Sequence, residues 1–188
     1  MVEVTTYWKV PFEWSERAAP ADEPDPPGVA WHRALEWPQL VQLVGAVLAS
    51  SVGPEDQLAV EALGPDGAAE RALSLTPGVG YRPEWWQVVA LDGAGAGFVL
   101  PVIYEGCARD GLDEATIYHM GVVPEHRGSG LGRLLLRKAT RILVDHGVWR
   151  IYCDTPADNA PMIHLFEREG WRRLPAHERP LVSPSPPG

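Results

Sequence analysis

Apolar residues recur at two different spacings along this chain, and the spacing changes from segment to segment. Val2 to Val10 alternates between apolar and polar positions, as a strand does when one face is buried. Leu40, Leu43, Val44, Val47 and Leu48 return every three or four residues, which predicts a helix over Leu35–Ser50. A second helix is predicted from Pro54, a good first-turn residue, to Leu63, ending at Gly64. Trp85–Leu91 and Gly97–Tyr104 are β-branched and aromatic runs on either side of the glycine-rich Asp92–Ala96, and read as a hairpin. A turn at Ala108–Asp113 leads into a further strand, Ala115–Val123.

The strongest helical pattern is Leu131–His146. Leu131, Leu134, Leu135, Ile142 and Leu143 mark one face, Arg133, Arg137, Lys138 and Arg141 lie largely opposite, and Gly147 supplies the stop. Val148–Asp154 then reads as a strand. Ala160–Glu169 reads as a short helix capped by Asp158 or Asn159 and closed by Gly170, and Trp171–Leu174 as another strand. Ala18–Gly28 carries four prolines among acidic residues and is expected to be a solvated loop or mobile linker. The segment after Pro180 is expected to be a loose tail, and whether a last strand follows Pro175 stays open. The predicted fold class is α/β of the α+β type, with a mixed, mostly antiparallel central sheet flanked by helices. One domain is expected over residues 1–180, with a variable segment 11–81 and a core 85–174.

Charge narrows the choice of partners. Sixteen Lys and Arg against 25 Asp and Glu give a formal charge of -9. That opposes nucleic-acid binding, and it suits either a cationic small molecule or simple solubility. Cys107 and Cys153 form no metal spacing and read as two reduced thiols. The first ten residues show no signal-peptide pattern and no stretch is long enough to span a bilayer, so a cytoplasmic protein without membrane contact is expected. No histidine spacing suggests a metal site.

The chemistry concentrates at Arg127-Gly128-Ser129-Gly130-Leu131-Gly132, between an apolar strand and the start of the strongest helix. First-turn N–H groups lack intrahelical acceptors, and the helix dipole favours negative charge there. Glycines let a phosphate approach the backbone. The run from Ile117 to Arg133 resembles the acetyl-CoA-binding signature of the GNAT superfamily of N-acetyltransferases, through Arg127, Gly130 and Gly132. The superfamily's second signature is matched by Asn159, Phe166 and Gly170-Trp171. The resemblance covers roughly residues 85–174. A P-loop or dinucleotide fold is disfavoured, because no Gly-Lys-Ser/Thr follows the glycines and no strand-first GxGxxG unit is present.

The resemblance implies acetyl-CoA as acetyl donor, an amine of a small molecule or protein as acceptor, direct transfer in a ternary complex, and in many members a homodimer. It implies that the N–H groups of Arg127 to Gly132 hold the pyrophosphate. Arg133 adds either a charge contact or a solvated helix surface. Met120, Gly121 and Val122 pair with the pantetheine arm along a bulged strand, where Gly121 either forms the bulge or relieves packing. A strand N–H near Val122 serves as oxyanion donor. Asn159 either caps its helix or also reaches the arm. Members commonly place a tyrosine acid at the position of Phe166; here another donor such as Tyr152, Tyr118 or water must serve, or the thiolate leaves unassisted, or the chain is a CoA-binding module with little catalysis. Glu114, His119 and Glu125 are the candidate bases, with a turn residue, a structural histidine and a solvated carboxylate as the respective alternatives. Trp31 and Trp37 flank the first helix and are candidates for a substrate wall.

Overall fold

A computed structural model describes residues 5–182. Strands are β1 (Thr6–Trp14), β2 (Val29–Arg33), β3 (Val79–Gly80), β4 (Gln87–Leu91), β5 (Ala94–Arg109), β6 (Leu112–Val122), β7 (Arg150–Pro156), β8 (Arg172–Arg173) and β9 (His177–Pro180). Helices are α1 (Leu40–Ala49), α2 (Pro54–Leu73), α3 (Leu131–His146) and α4 (Ala160–Arg168). Among the described residues the strands form one sheet in the order β2-β4-β5-β6-β7-β1-β8, with β3 on β5 and β9 on β1. All pairings are antiparallel except β6 with β7. The fold class is the one expected. No described helix is long and apolar enough to cross a membrane.

Helix α3 covers one face of the sheet and α1 the other. A Cβ placed on Gly97 of β5 would meet Leu135 of α3, whereas one on Gly121 of β6 would meet Val47 of α1. Leu131, Leu135, Leu136, Ala139 and Leu143 bury the inner face of α3, close to the expected stripe. Gly147 takes a left-handed conformation at its end.

Several expected boundaries move. The first strand runs Thr6–Trp14 rather than Val2–Val10, whose first three residues lie outside the described ones; the same holds for tail residues 183–188. The helix expected over Leu35–Ser50 begins at Leu40, because β2 and a 3-10 turn occupy Val29–Glu36. Helix α2 does break at the expected Gly64, which sits at φ 73° and ψ 170°, and a second helical segment after that kink carries it on to Leu73. A last strand, β9, does follow Pro175.

The largest correction concerns β1. It pairs with β7 on one side and with β8 and β9 on the other, five strands away from β2. The chain must therefore cross from one half of the sheet to the other between Trp14 and Val29. It does so over α3: the segment is a solvent-exposed loop, one of the two expected forms, and it is also tied down as a strap. Arg133, Arg137 and Arg141 form one row at i, i+4 and i+8. Arg133 holds Glu23 with two hydrogen bonds of 2.7 and 2.9 Å, and Arg141 reaches Pro20 O at 2.9 Å and Asp22 at 3.1 Å. Arg133 and Arg137 also share Glu169, at 2.6 and 2.8 Å.

Candidate active site

Strands β6 and β7 pair in parallel only at Glu114 with Arg150 and Ala115 with Ile151. Beyond Thr116 they diverge, and the gap opens a cavity of about 600 Å3, a size ordinary for a cofactor or substrate site. Thr116, Ile117, His119 and Met120 of β6 line it, with Tyr152, Cys153 and Asp154 of β7. Asn159, Met162 and Phe166 close it from α4, while Lys9, Glu55 and Asp56 close it from β1 and α2.

A bulge decides what β6 presents to this gap. Leu100 pairs with His119 but Pro101 pairs with Ile117, so Tyr118 is the extra residue. Pro101 has no N–H for the ladder, which is the local reason for the break. The bulge thus lies at Tyr118, not at the expected Gly121. Gly121 serves packing instead, since α1 leaves no room there for a Cβ. Alternation resumes out of phase after the bulge. Glu114, Thr116, His119 and Gly121 consequently share the α1 face, and Ala115, Ile117, Met120 and Val122 the α3 face. Met120, Gly121 and Val122 pair with Val99, Phe98 and Gly97 of β5, leaving the edge toward the cavity without a strand partner among the described residues.

The glycine-rich loop closes the open end of β6. Gly130 is left-handed at φ 90° and precedes α3 with no side-chain cap. Among the described residues, the N–H groups of Gly128, Ser129, Gly130, Leu131 and Gly132 donate to no protein acceptor; Arg133 N–H goes to Gly130 O. A Cβ at Gly128 or Gly130 would meet nothing within 4 Å, so this cradle faces open space. The N–H of Arg127, expected to join the cradle, bonds to Pro124 O instead. Its guanidinium is also committed, with Nε on Val122 O at 3.1 Å and a terminal nitrogen on Ser50 O at 3.2 Å. Arg127 therefore pins the loop to the end of α1. Arg133 is partly exposed but is not a free charge, because Glu23 and Glu169 hold it.

Among the catalytic candidates, His119 and Tyr152 line the cavity and Glu114 does not. Glu114 bonds Arg150 at 2.6 Å across the first β6–β7 rung; their parallel pairing makes them neighbours and spends the carboxylate on an ion pair. Glu125 is exposed in a 3-10 turn. His119 is half-buried, with burial lowering its pKa and Asp56 and Glu55 opposing that shift. Its imidazole is thus neutral near pH 7 and able to accept a proton. Burial and Asp154 raise the pKa of Tyr152, so its hydroxyl keeps its proton. Burial pushes the Cys153 thiol up to about 12, while its sulfur accepts from Ile117 N–H at 3.4 Å. Cys107 is exposed.

Phe166 is buried and stacks on Phe12 of β1, with ring centroids 4.7 Å apart. Asn159 caps α4 through Met162 N–H and also lines the cavity, so both of its expected roles are open to it. Trp31 and Trp37 do not line the cavity: Trp31 donates to Asp25 of the strap and Trp37 packs on Gly95. Three cavity groups escaped sequence reasoning. Lys9 is 9% exposed and paired with Asp154 at 2.8 Å and Glu55 at 3.2 Å. Its one available signal was a charged residue at an inward position of an alternating strand. Glu55 and Asp56 resembled ordinary acidic first-turn residues.

Comparison with known proteins agrees with this geometry. A family model described as acetyltransferase (GNAT) family matches residues 79–171. A mycothiol acetyltransferase of Cellulomonas flavigena is 30% identical over 129 residues, 57% of this chain and 37% of that protein. A [ribosomal protein bS18]-alanine N-acetyltransferase of Escherichia coli is 38% identical over 60 residues, 32% of this chain and 40% of that protein. A crystal structure of a putative GNAT-family acetyltransferase from Novosphingobium aromaticivorans superposes with a TM-score of 0.57 at 20% identity, over 94% of this chain and 64% of that one. The chain spans less than half the length of these two curated relatives. A diverging strand pair, a glycine cradle at a helix start and the family match converge on one segment: residues 79–171 are an acetyltransferase domain of the GNAT family.

Proposed function

We propose that this protein transfers an acetyl group from acetyl-CoA to a primary amine, directly, in a ternary complex. The observation that carries the reading is that β6, whose edge is unpaired beyond the two rungs with β7, leads along the chain into five unpartnered N–H groups at the start of α3. That arrangement suits a ligand with a pyrophosphate at one end and an extended arm. Gly128 to Gly132 would hold the phosphates, and the free edge of β6 would pair with the arm as an added strand. Acetyl-CoA supplies an acetyl thioester: the C–N bond forms, the C–S bond breaks with its electron pair leaving on sulfur, and the nitrogen sheds a proton.

The chain's own residues supply the rest. An amine attacks only when neutral, and a free alkylamine has a pKa of about 10.4, so a base is needed. His119 takes that role because it is neutral, lines the cavity and sits on the α1 face. A β6 N–H near Val122 supports the oxyanion. Tyr152 offers the leaving sulfur a hydrogen bond, which the phenylalanine at position 166 is unable to give. With a thiol pKa of about 8.5, the sulfur needs modest help.

The test is thermal unfolding with acetyl-CoA, CoA, ATP and NAD added separately. A ligand at a hundredfold excess over its dissociation constant stabilises by about 2.7 kcal/mol. A rise with the two CoA species alone supports the reading. No rise with CoA, or one with ATP or NAD instead, ends it.

A further inference from the structure

We propose that the acceptor is a small amino-acid-like molecule, seated in a second cavity with its amine toward Glu55, Asp56 and His119 and its anionic group toward Arg71. This deepens the acetyltransferase reading and rests on it.

The second cavity measures about 260 Å3 and shares four lining residues with the larger one: Glu55, Asp56, Tyr118 and His119. These four form a common wall. A group held on one side of it reaches the candidate base that the other side also sees. Two details of the backbone create the arrangement. The bulge at Tyr118 turns His119 toward α1 and α2. The kink at Gly64 then folds α2 so that both halves line the cavity: Glu55, Asp56 and Ala59 come before the kink, Ala68, Arg71 and Ala72 after it.

Charge selects the ligand. Glu55 faces Lys9 at 3.2 Å and Asp56 accepts from Ser51 at 2.6 Å, and these partners fix both carboxylates at the wall. A cation is favoured there. Arg71, on the other half of α2, makes no ion pair among the described residues. A polyamine would set a second positive charge against it, and a plain alkylamine would leave it unanswered. A carboxylate or similar anion answers it, with the fork geometry that suits arginine. The remaining lining includes Leu48, Ala59, Ala68 and Ala72 and accepts a short carbon body. Small-molecule sites begin near ~300 Å3, so the cavity admits a small ligand and not a folded surface.

The experiment uses the full chain. The acetyl-CoA midpoint rise is measured first; without it, the acetyltransferase reading fails and this proposal with it. Thiol release from acetyl-CoA is then followed with the common amino acids, their primary amides, the matching decarboxylated amines, a short peptide and spermidine. At least one amino acid should be acetylated with kcat/KM about tenfold or more above its own amide, as expected for a lost charge-assisted bond. It should also raise the thermal midpoint beyond CoA alone. Arg71→Gln should bring kcat/KM for acid and amide to within about twofold of each other. Glu55→Gln and Asp56→Asn should lower kcat/KM for acid and amide alike. Because Glu55 also faces Lys9, Arg71→Gln is the decisive variant; its site is exposed and its fold is not at risk. A wild type that binds acetyl-CoA but turns over only peptide or spermidine overturns the proposal. So does an Arg71→Gln protein that keeps the full preference for the acid.

Discussion

Replacing Gly121 by alanine tests the packing that sets the cavity wall. The added Cβ would fall 2.2 Å from Val47 Cγ1, which is 1.2 Å inside the 3.4 Å where ordinary contact begins. Val47 is buried in α1, and a β-branched side chain in a helix has essentially one rotamer to use. Relief must therefore come from moving α1 or β6. Overpacking of this kind costs about 2 kcal/mol, or about 4–8 °C in the unfolding midpoint of a chain this size. Val47→Ala alone loses two buried methyl groups, also about 2 kcal/mol with its cavity. In the double variant the clash is gone and the new methyl fills part of the space. The loss should then be about 1–2 kcal/mol less than the sum of the single losses, as for other residues in direct contact. Urea unfolding of the four proteins gives the cycle. Acetyl-CoA affinity should follow the same order, because β6 carries the free edge. Strict additivity would refute the claim that Gly121 is there for the approach of α1.

Three further expectations follow from the same geometry. Gly130→Asp places a carboxylate in the N–H cradle at a left-handed position with open space around it; acetyl-CoA binding should drop more than about a hundredfold by calorimetry, with a stability loss of only about 1 kcal/mol. Burial lowers the His119 pKa in the folded state, so the unfolded chain binds the extra proton first. The stability His119 contributes is present above about pH 6.5 and is lost as pH falls through the lower folded value; His119→Gln should flatten this component in midpoints measured from pH 7.5 to 5, and an unchanged pH slope would contradict it. Glu169 has a side chain only 7% exposed and bridges Arg133 and Arg137. Glu169→Gln should cost about 2 kcal/mol in urea unfolding, less than fully orphaning a buried charge because Glu23 still faces both arginines; a loss below about 0.5 kcal/mol would show that the network contributes nothing.

What the sequence determined by itself is local. The glycine cradle, the amphipathic α3 with its glycine stop, the hairpin and the capped α4 all depend on spacings within about fifteen residues, where periodicity and caps act directly. The family resemblance rests on the same local run, Arg127 to Gly132, with Asn159 and Gly170 beyond it. Only the tertiary structure decided which groups meet. An alternating strand does not name its neighbours, so β1 gave no sign that it lies beside β7 and carries Lys9 to Asp154. The strap's acidic residues gave no sign of being paired, because their partners, the arginines of α3, lie about 110 residues further along the chain. Glu114 looked free for the same reason, until β7 brought Arg150 beside it. The bulge at Tyr118 is the sharpest case. One extra residue opposite Pro101 reverses the faces of the strand after it, and it puts His119 in the wall shared by the two cavities instead of under α3.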